Sequence, residues 1–269
     1  MHRALSINTL CLAPAPLDQL IETVARLGAR GISPDLEQVK ASGIVATVRQ
    51  LRDAGLTLAT VTHRAFGYDT PAATAAARDR LFATLDIAAE IGAPSVIMTT
   101  GGRGVHTWHE AARRFAEAIA PCAEAARATG IVIGIEPTSH LYADASIAHR
   151  LTDTVTIARQ AGIAVMMDLF GCWFDADIDE AIATAVPLSP LVQVSDYVYG
   201  DRGLPCRAVP GDGAVPWDRL VARIVGAGFT GWFDLEIIGP RLQAEGQEAG
   251  LARAAASMGQ WLEAAGYPA

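Results

Sequence analysis

Ile131-Val132-Ile133-Gly134-Ile135-Glu136-Pro137-Thr138 is the stretch from which the fold is read. The run is rich in Ile and Val and too short for a helix. It predicts a strand buried on both faces, as in a parallel sheet. Glu136 stands where that strand ends. A carboxylate beside a core is costly unless it pairs or binds a cation. The same arrangement returns downstream: a run at 163–168 ends on Asp168, a run at 191–194 carries Gln193 with Asp196 beyond it, and a run at 232–237 carries Glu236.

Outward from these runs, the apolar pattern predicts strands over 4–10, around Ile32, and over 56–61, 95–99, 131–136, 163–168, 191–194 and 232–237. Helical spacing predicts helices over 17–27, 39–54, 72–91, 108–129, 146–161, 178–185, 217–227 and 247–265. Six of them run into a glycine (28, 55, 92, 130, 162 and 228), where a helix end takes a left-handed residue. Strict strand–helix alternation implies a parallel sheet, and eight units imply a single (β/α)8 TIM barrel over residues 1–269. A doubly wound open sheet would carry a glycine-rich fingerprint after the first strand. None follows Leu10.

The totals agree with one barrel, which takes about 250 residues. The chain has 269 residues, 51% of them hydrophobic, which is enough for a sizeable core and argues against disorder. The net charge of −8, without a basic patch, argues against a nucleic-acid reader. Cys11, Cys122, Cys172 and Cys206 are widely spaced, form no CxxC, and read as reduced thiols of a cytoplasmic protein. No apolar run approaches the roughly 20 residues of a membrane helix. Residues 2–16 faintly imitate a secretory leader, but Ser6, Asn8 and Thr9 interrupt the apolar run, and a buried first strand accounts for it.

In a barrel the C-terminal strand ends form the active-site rim. Glu136, Asp168, Gln193 and Glu236 therefore predict one site. Carboxylates brought together repel unless a cation neutralises them. Oxygen donors suit a hard divalent ion, manganese first, with magnesium or cobalt also suited. One acid alone at a strand end would read as a salt-bridge partner or a solvated charge; recurrence at matching positions is what points to a metal. His63 at the exit of the third strand, His140 four residues after Glu136, Trp173, Arg202 and Arg207 are candidate substrate contacts. Each also has a plain reading, as a surface histidine or arginine, or as a core tryptophan.

Gly134-Ile135-Glu136-Pro137, Met167-Asp168, Val192-Gln193-Val194-Ser195-Asp196, Pro210-Gly211-Asp212-Gly213 and Gly228-Phe229-Thr230-Gly231 leading to Leu235-Glu236 together resemble the xylose isomerase-like barrels, the sugar phosphate isomerase/epimerase family. The resemblance spans nearly the whole chain. It implies metal ligands of type Glu, Asp, His and Glu, which fall on Glu136, Asp168, Gln193 and Glu236. It also favours Arg207 over Arg202 as a substrate-holding residue. Two departures stand out: the usual histidine is Gln193, and the position three after Asp168, a histidine in the ketose epimerases, is Gly171.

The expected activity is proton transfer next to a carbonyl of a small sugar, polyol or keto-acid, in carbohydrate metabolism, with Glu136 and Glu236 as proton carriers. Return of the proton to the other face gives an epimerase, and to the neighbouring carbon an isomerase. A lyase (dehydratase or keto-sugar elimination) on the same site is the alternative, and a non-catalytic binding homologue a third. A nuclease fits poorly, since such sites use many histidines on zinc. The expected ligand is a small molecule, without nucleic acid or membrane, and homo-oligomer formation is compatible with such a barrel.

Overall fold

The structure is a computed structural model and describes residues 1–268. In chain order, β1 (Leu5–Asn8) runs into a 3-10 turn at Thr9–Leu12 and then α1 (Leu17–Arg26). β2 (Gly31–Ser33), α2 (Leu36–Ser42), α3 (Ile44–Ala54) and the short strands β3 (Thr57–Leu58) and β4 (Val61–Thr62) follow. Next come α4 (Pro71–Ile91), β5 (Ser95–Met98), α5 (Trp108–Thr129) and β6 (Val132–Ile135). A 3-10 turn at His140–Tyr142 precedes α6 (Leu151–Ala161), β7 (Ala164–Asp168), the single turn α7 (Leu169–Cys172) and α8 (Ile178–Ala185). The remainder holds β8 (Leu191–Val194), β9 (Asp196–Tyr197), β10 (Arg207–Ala208), α9 (Trp217–Gly226), β11 (Trp232–Leu235), α10 (Pro240–Glu245) and α11 (Gln247–Ala264).

The helices are defined by local signals. α5 begins in a capping box, with Thr107 accepting from the Glu110 amide and Glu110 accepting from the Thr107 amide. Thr70 caps α4, whose first residue is Pro71, a position where a missing N–H costs nothing. The predicted glycine stops at 28, 55, 92, 130, 162 and 228 all have positive φ. Among the described residues no helix is long and apolar enough to cross a membrane.

The chain divides into two compact units, one made of residues 1–59 with the segment from Leu191 onward, the other Thr60–Pro190. The first carries parallel strands in the order β3-β2-β1-β11-β8, with Ile7 opposite Ile32, Leu5 opposite Phe233, and Phe233 opposite Val192. All five side chains are fully buried. The second carries β4-β5-β6-β7, with Val61 opposite Val96 and Val96 opposite Ile133. Its helix α4 buries Ala77, Leu81, Thr84, Leu85, Ala88 and Ile91, a stripe at helical spacing.

Several predicted elements differ in extent. The helix predicted over 39–54 is broken at Gly43, which has φ +83° and both ends α2 and starts α3. The strand predicted over 56–61 splits because its first part pairs with β2 and its second with β5. The helix predicted from 146 starts at Leu151. Ile147 N donates to Thr100 Oγ1 and Ala148 accepts from Thr138 N, so this backbone bonds outside a helix. The strand predicted over 4–10 ends at Asn8, whose side chain caps the 3-10 turn. The stretch that opened the sequence reading is strand as expected, but Val132 at its start is 39% exposed, so burial on both faces begins only at Ile133.

Candidate functional site

In the unit Thr60–Pro190, two predicted ligands stand at neighbouring strand ends. Glu136 follows β6 directly and its N–H donates to Met98 O of β5, so the ladder fixes its backbone. Asp168 is the last residue of β7, is buried, and accepts from the Phe170 amide at 3.1 Å, which caps α7. A carboxylate oxygen of each lies within 4.8 Å of the other. Two carboxylates at that range disfavour joint ionisation unless a cation stands near them.

The turn after Asp168 shows why position 171 is glycine. A Cβ there would lie 2.7 Å from the Pro137 carbonyl oxygen and 3.2 Å from Thr138 C. The backbone that leaves Glu136 fills the space a side chain would need. Trp173 donates its N–H to Leu169 O, is half-buried, and meets Phe174 edge-on. His140 starts the 3-10 turn after β6 and is exposed. His63 follows β4, is buried, and its Nδ1 lies 2.9 Å from Thr84 Oγ1 of α4. Thr84 Oγ1 also donates to Arg80 O, within its own helix.

In the other unit, Gln193 is the buried last-but-one residue of β8, and Glu236 follows β11, its N–H donating to Val194 O. Gln193 Nε2 donates to Glu236 Oε2 at 2.5 Å. That bond fixes the orientation of the amide. The opposite atom, Gln193 Oε1, is buried and has no hydrogen-bond partner among the described residues. Arg207, on the antiparallel ribbon β9–β10, brings Nη2 to 3.3 Å from Glu236 Oε2 and donates through Nη1 to Ser195 Oγ at 3.1 Å. Arg202, five residues earlier in the same loop, is exposed.

Two acids act in ways the sequence did not disclose. Asp196 is buried and accepts from the backbone amides of Tyr197, Gly211, Gly213 and Val215. It therefore organises the loop that presents Arg207. Gly213 has to be glycine because a Cβ would run into the Tyr197 carbonyl and the Asp196 carboxylate. Asp234, on the same strand face as Glu236, is fully buried and accepts from Ser6 Oγ, Ser33 Oγ and Asn8 Nδ2. Burial pushes its carboxyl up to about 6, against the pull of those three hydrogen bonds. The period-2 pattern already puts Asp234 on the Glu236 face, and that signal was available in the sequence.

Parallel strands alternating with helices, and polar groups held at the strand ends, define a class of protein. The chain belongs to the xylose isomerase-like TIM barrel family, whose model matches residues 21–264, and its fold class is the α/β TIM barrel. It is similar to a protein of Sinorhizobium meliloti 1021 at 25% identity, TM-score 0.85, over 97% of this chain and 98% of that one. It is similar in fold to a D-psicose 3-epimerase from Clostridium cellulolyticum H10, solved with D-tagatose, at 17% identity and TM-score 0.80, over 98% of each chain. A third likeness is to the IOLI protein with a bound zinc atom, at 14% identity and TM-score 0.82, over 95% of this chain and 96% of that one. No curated protein matches the chain in sequence.

Proposed function

We propose that the protein is a divalent-metal-dependent isomerase or epimerase acting beside a carbonyl of a small sugar, polyol or keto-acid. Glu136, Asp168, Gln193 and Glu236 are the proposed ligands. Glu136 and Asp168, in one unit, bring carboxylate oxygens within 4.8 Å of each other, a pair suited to a cation. The observation that carries the reading is Gln193 Oε1, a buried carbonyl oxygen without a hydrogen-bond partner among the described residues. Such an atom costs about 1–3 kcal/mol, and a cation is the ligand that an acceptor beside carboxylates suits. An amide in place of an imidazole shifts preference from zinc towards manganese, then magnesium or cobalt.

A divalent ion bound there would polarise a substrate carbonyl and offset negative charge developing on it. The chain's own groups do the rest. Glu136 and Glu236 remove and return the proton. Gln193 and Arg207 hold the Glu236 carboxylate in one orientation. Arg207 also has the charge to steer an anionic substrate group, with Arg202, His63, His140 and Trp173 as further contacts. The ligand is a small molecule; a chain of net charge −8 repels nucleic acid. Four buried free thiols suit a reducing cytoplasm. Self-association into a homo-oligomer belongs to the same reading.

One observation favours a lyase as the second reading. At Gly171 the Pro137–Thr138 backbone leaves no room for a polarising side chain. The test for both is a panel of keto-sugars and keto-acids in deuterated water with manganese. Deuterium at the carbon beside the carbonyl, without loss of water or aglycone, supports isomerisation or epimerisation. A conjugated carbonyl product supports elimination. Glu236→Gln is expected to fold normally and stop the exchange; wild-type exchange in that variant removes Glu236 from the chemistry.

A further inference from the structure

We propose that Cys11 is a positioning residue for Glu236, clamping the two peptide groups on either side of it. This rests on the reading of Glu236 as a metal- and proton-bearing group. Cys11 lies in the 3-10 turn Thr9–Leu12 and is buried. Its Sγ donates to Leu235 O at 3.2 Å and accepts from Ile237 N at 3.0 Å. One sulfur therefore ties down the carbonyl before Glu236 and the amide after it.

A sheet ladder cannot do this here. β1 pairs with β11 only up to Ile7 opposite Leu235, and after Asn8 the chain turns away. The thiol takes the place of the missing strand partner. Its own position is fixed from three sides. Asn8 Oδ1 accepts from Leu10 N, Asn8 Nδ2 donates to Asp234 Oδ2, and Gln247 Nε2 donates to Cys11 O at 2.9 Å. The 3-10 turn is thereby tied to Asp234 and Leu235 of β11 and to Ile237 beyond it, which bracket Glu236.

The thiol serves this purpose only while protonated, since it must donate and accept at once. Burial holds it far above the ordinary thiol range, and the charges of Glu236 and Asp234 add to that.

The test compares Cys11→Ala and Cys11→Ser with Cys122→Ala, which removes an equally buried thiol from α5. Manganese binding is measured by titration calorimetry on the full chain, beside thermal unfolding of the metal-free forms. Cys11→Ala is expected to weaken manganese binding about 10-fold or more, the usual effect of losing a group that orients a ligand. Cys122→Ala is expected to lower the unfolding midpoint as much with unchanged affinity, and Cys11→Ser to recover most of the affinity. Wild-type affinity in Cys11→Ala, an equal loss in Cys122→Ala, or no recovery in Cys11→Ser overturns the proposal. If the wild-type chain takes up no manganese, the metal reading fails instead. Hydrogen exchange of the Ile237 amide then decides the clamp: faster exchange in Cys11→Ala supports it, and unchanged protection overturns it.

Discussion

Gln193 gives its amide nitrogen to Glu236 and keeps its carbonyl oxygen buried, without a hydrogen-bond partner among the described residues. A fold selected for stability alone would place an apolar residue there. Gln193→Leu is therefore expected to leave the stability of the metal-free chain within about 1 kcal/mol of wild type, because the lost hydrogen bond is offset by the removed orphan. Manganese affinity is expected to fall about 10-fold or more. Urea unfolding and calorimetry on the same preparation measure both. A variant that loses stability and keeps its affinity would mark Gln193 as structural.

Asp234 makes stability depend on pH. Its folded carboxyl titrates at about 6, above the ordinary value of 3.8, so the folded chain holds a proton that the unfolded chain releases. The contribution is fully present below pH 3.8 and is lost as pH rises through about 6. The shift corresponds to about 3 kcal/mol. Urea unfolding of the metal-free chain at pH 4 and pH 7 is expected to show this loss, and Asp234→Asn is expected to remove it. An equal pH slope in wild type and variant would assign the loss to other groups.

Asp196 should behave as a loop anchor. Asp196→Ala strips four backbone amides of their acceptor inside a buried loop. The expected cost is about 3 kcal/mol or more, together with faster hydrogen exchange at Gly211, Gly213 and Val215. Since the same loop carries Arg207, activity on any anionic substrate should fall even under conditions where the variant is folded. Unchanged exchange at those amides would refute the anchor.

Gly171→Ala tests the close approach of two rim loops. The added methyl meets the Pro137 carbonyl at 2.7 Å, so backbone has to move. A loss of about 1–3 kcal/mol in thermal or urea unfolding is expected from overpacking. Gly203→Ala, where none of the described residues lies within 4 Å of the new methyl, serves as the control and should change little. Equal effects at the two positions would mean that the contact carries no strain.

Much of the fold was legible because its signals are local. Trp108–Thr129 and Ile178–Ala185 stand where apolar periodicity put them, and the glycines after six helices adopt the positive φ that a helix end needs. Errors arose where a long-range partner overrode local preference. The 146–150 segment has helical composition, yet Thr100 and Thr138 hold its backbone in a loop. The break at Gly43 did have a local signal, a glycine inside a helical pattern, and its φ of +83° is what that signal means.

Alternation of strand and helix, the strand-end placement of Glu136, Asp168, Gln193 and Glu236, and the family were determined by sequence alone. Each depends on residues close along the chain or on a recurring pattern. What each polar group does was decided by tertiary structure. Cys11 meets Leu235 and Ile237, Ser6 and Asn8 meet Asp234, and these partners are more than 220 residues apart. A hydrogen bond between residues so distant leaves no mark on the local pattern of either. The orphaned oxygen of Gln193 is likewise a property of the space around it, which exists only once the chain has folded.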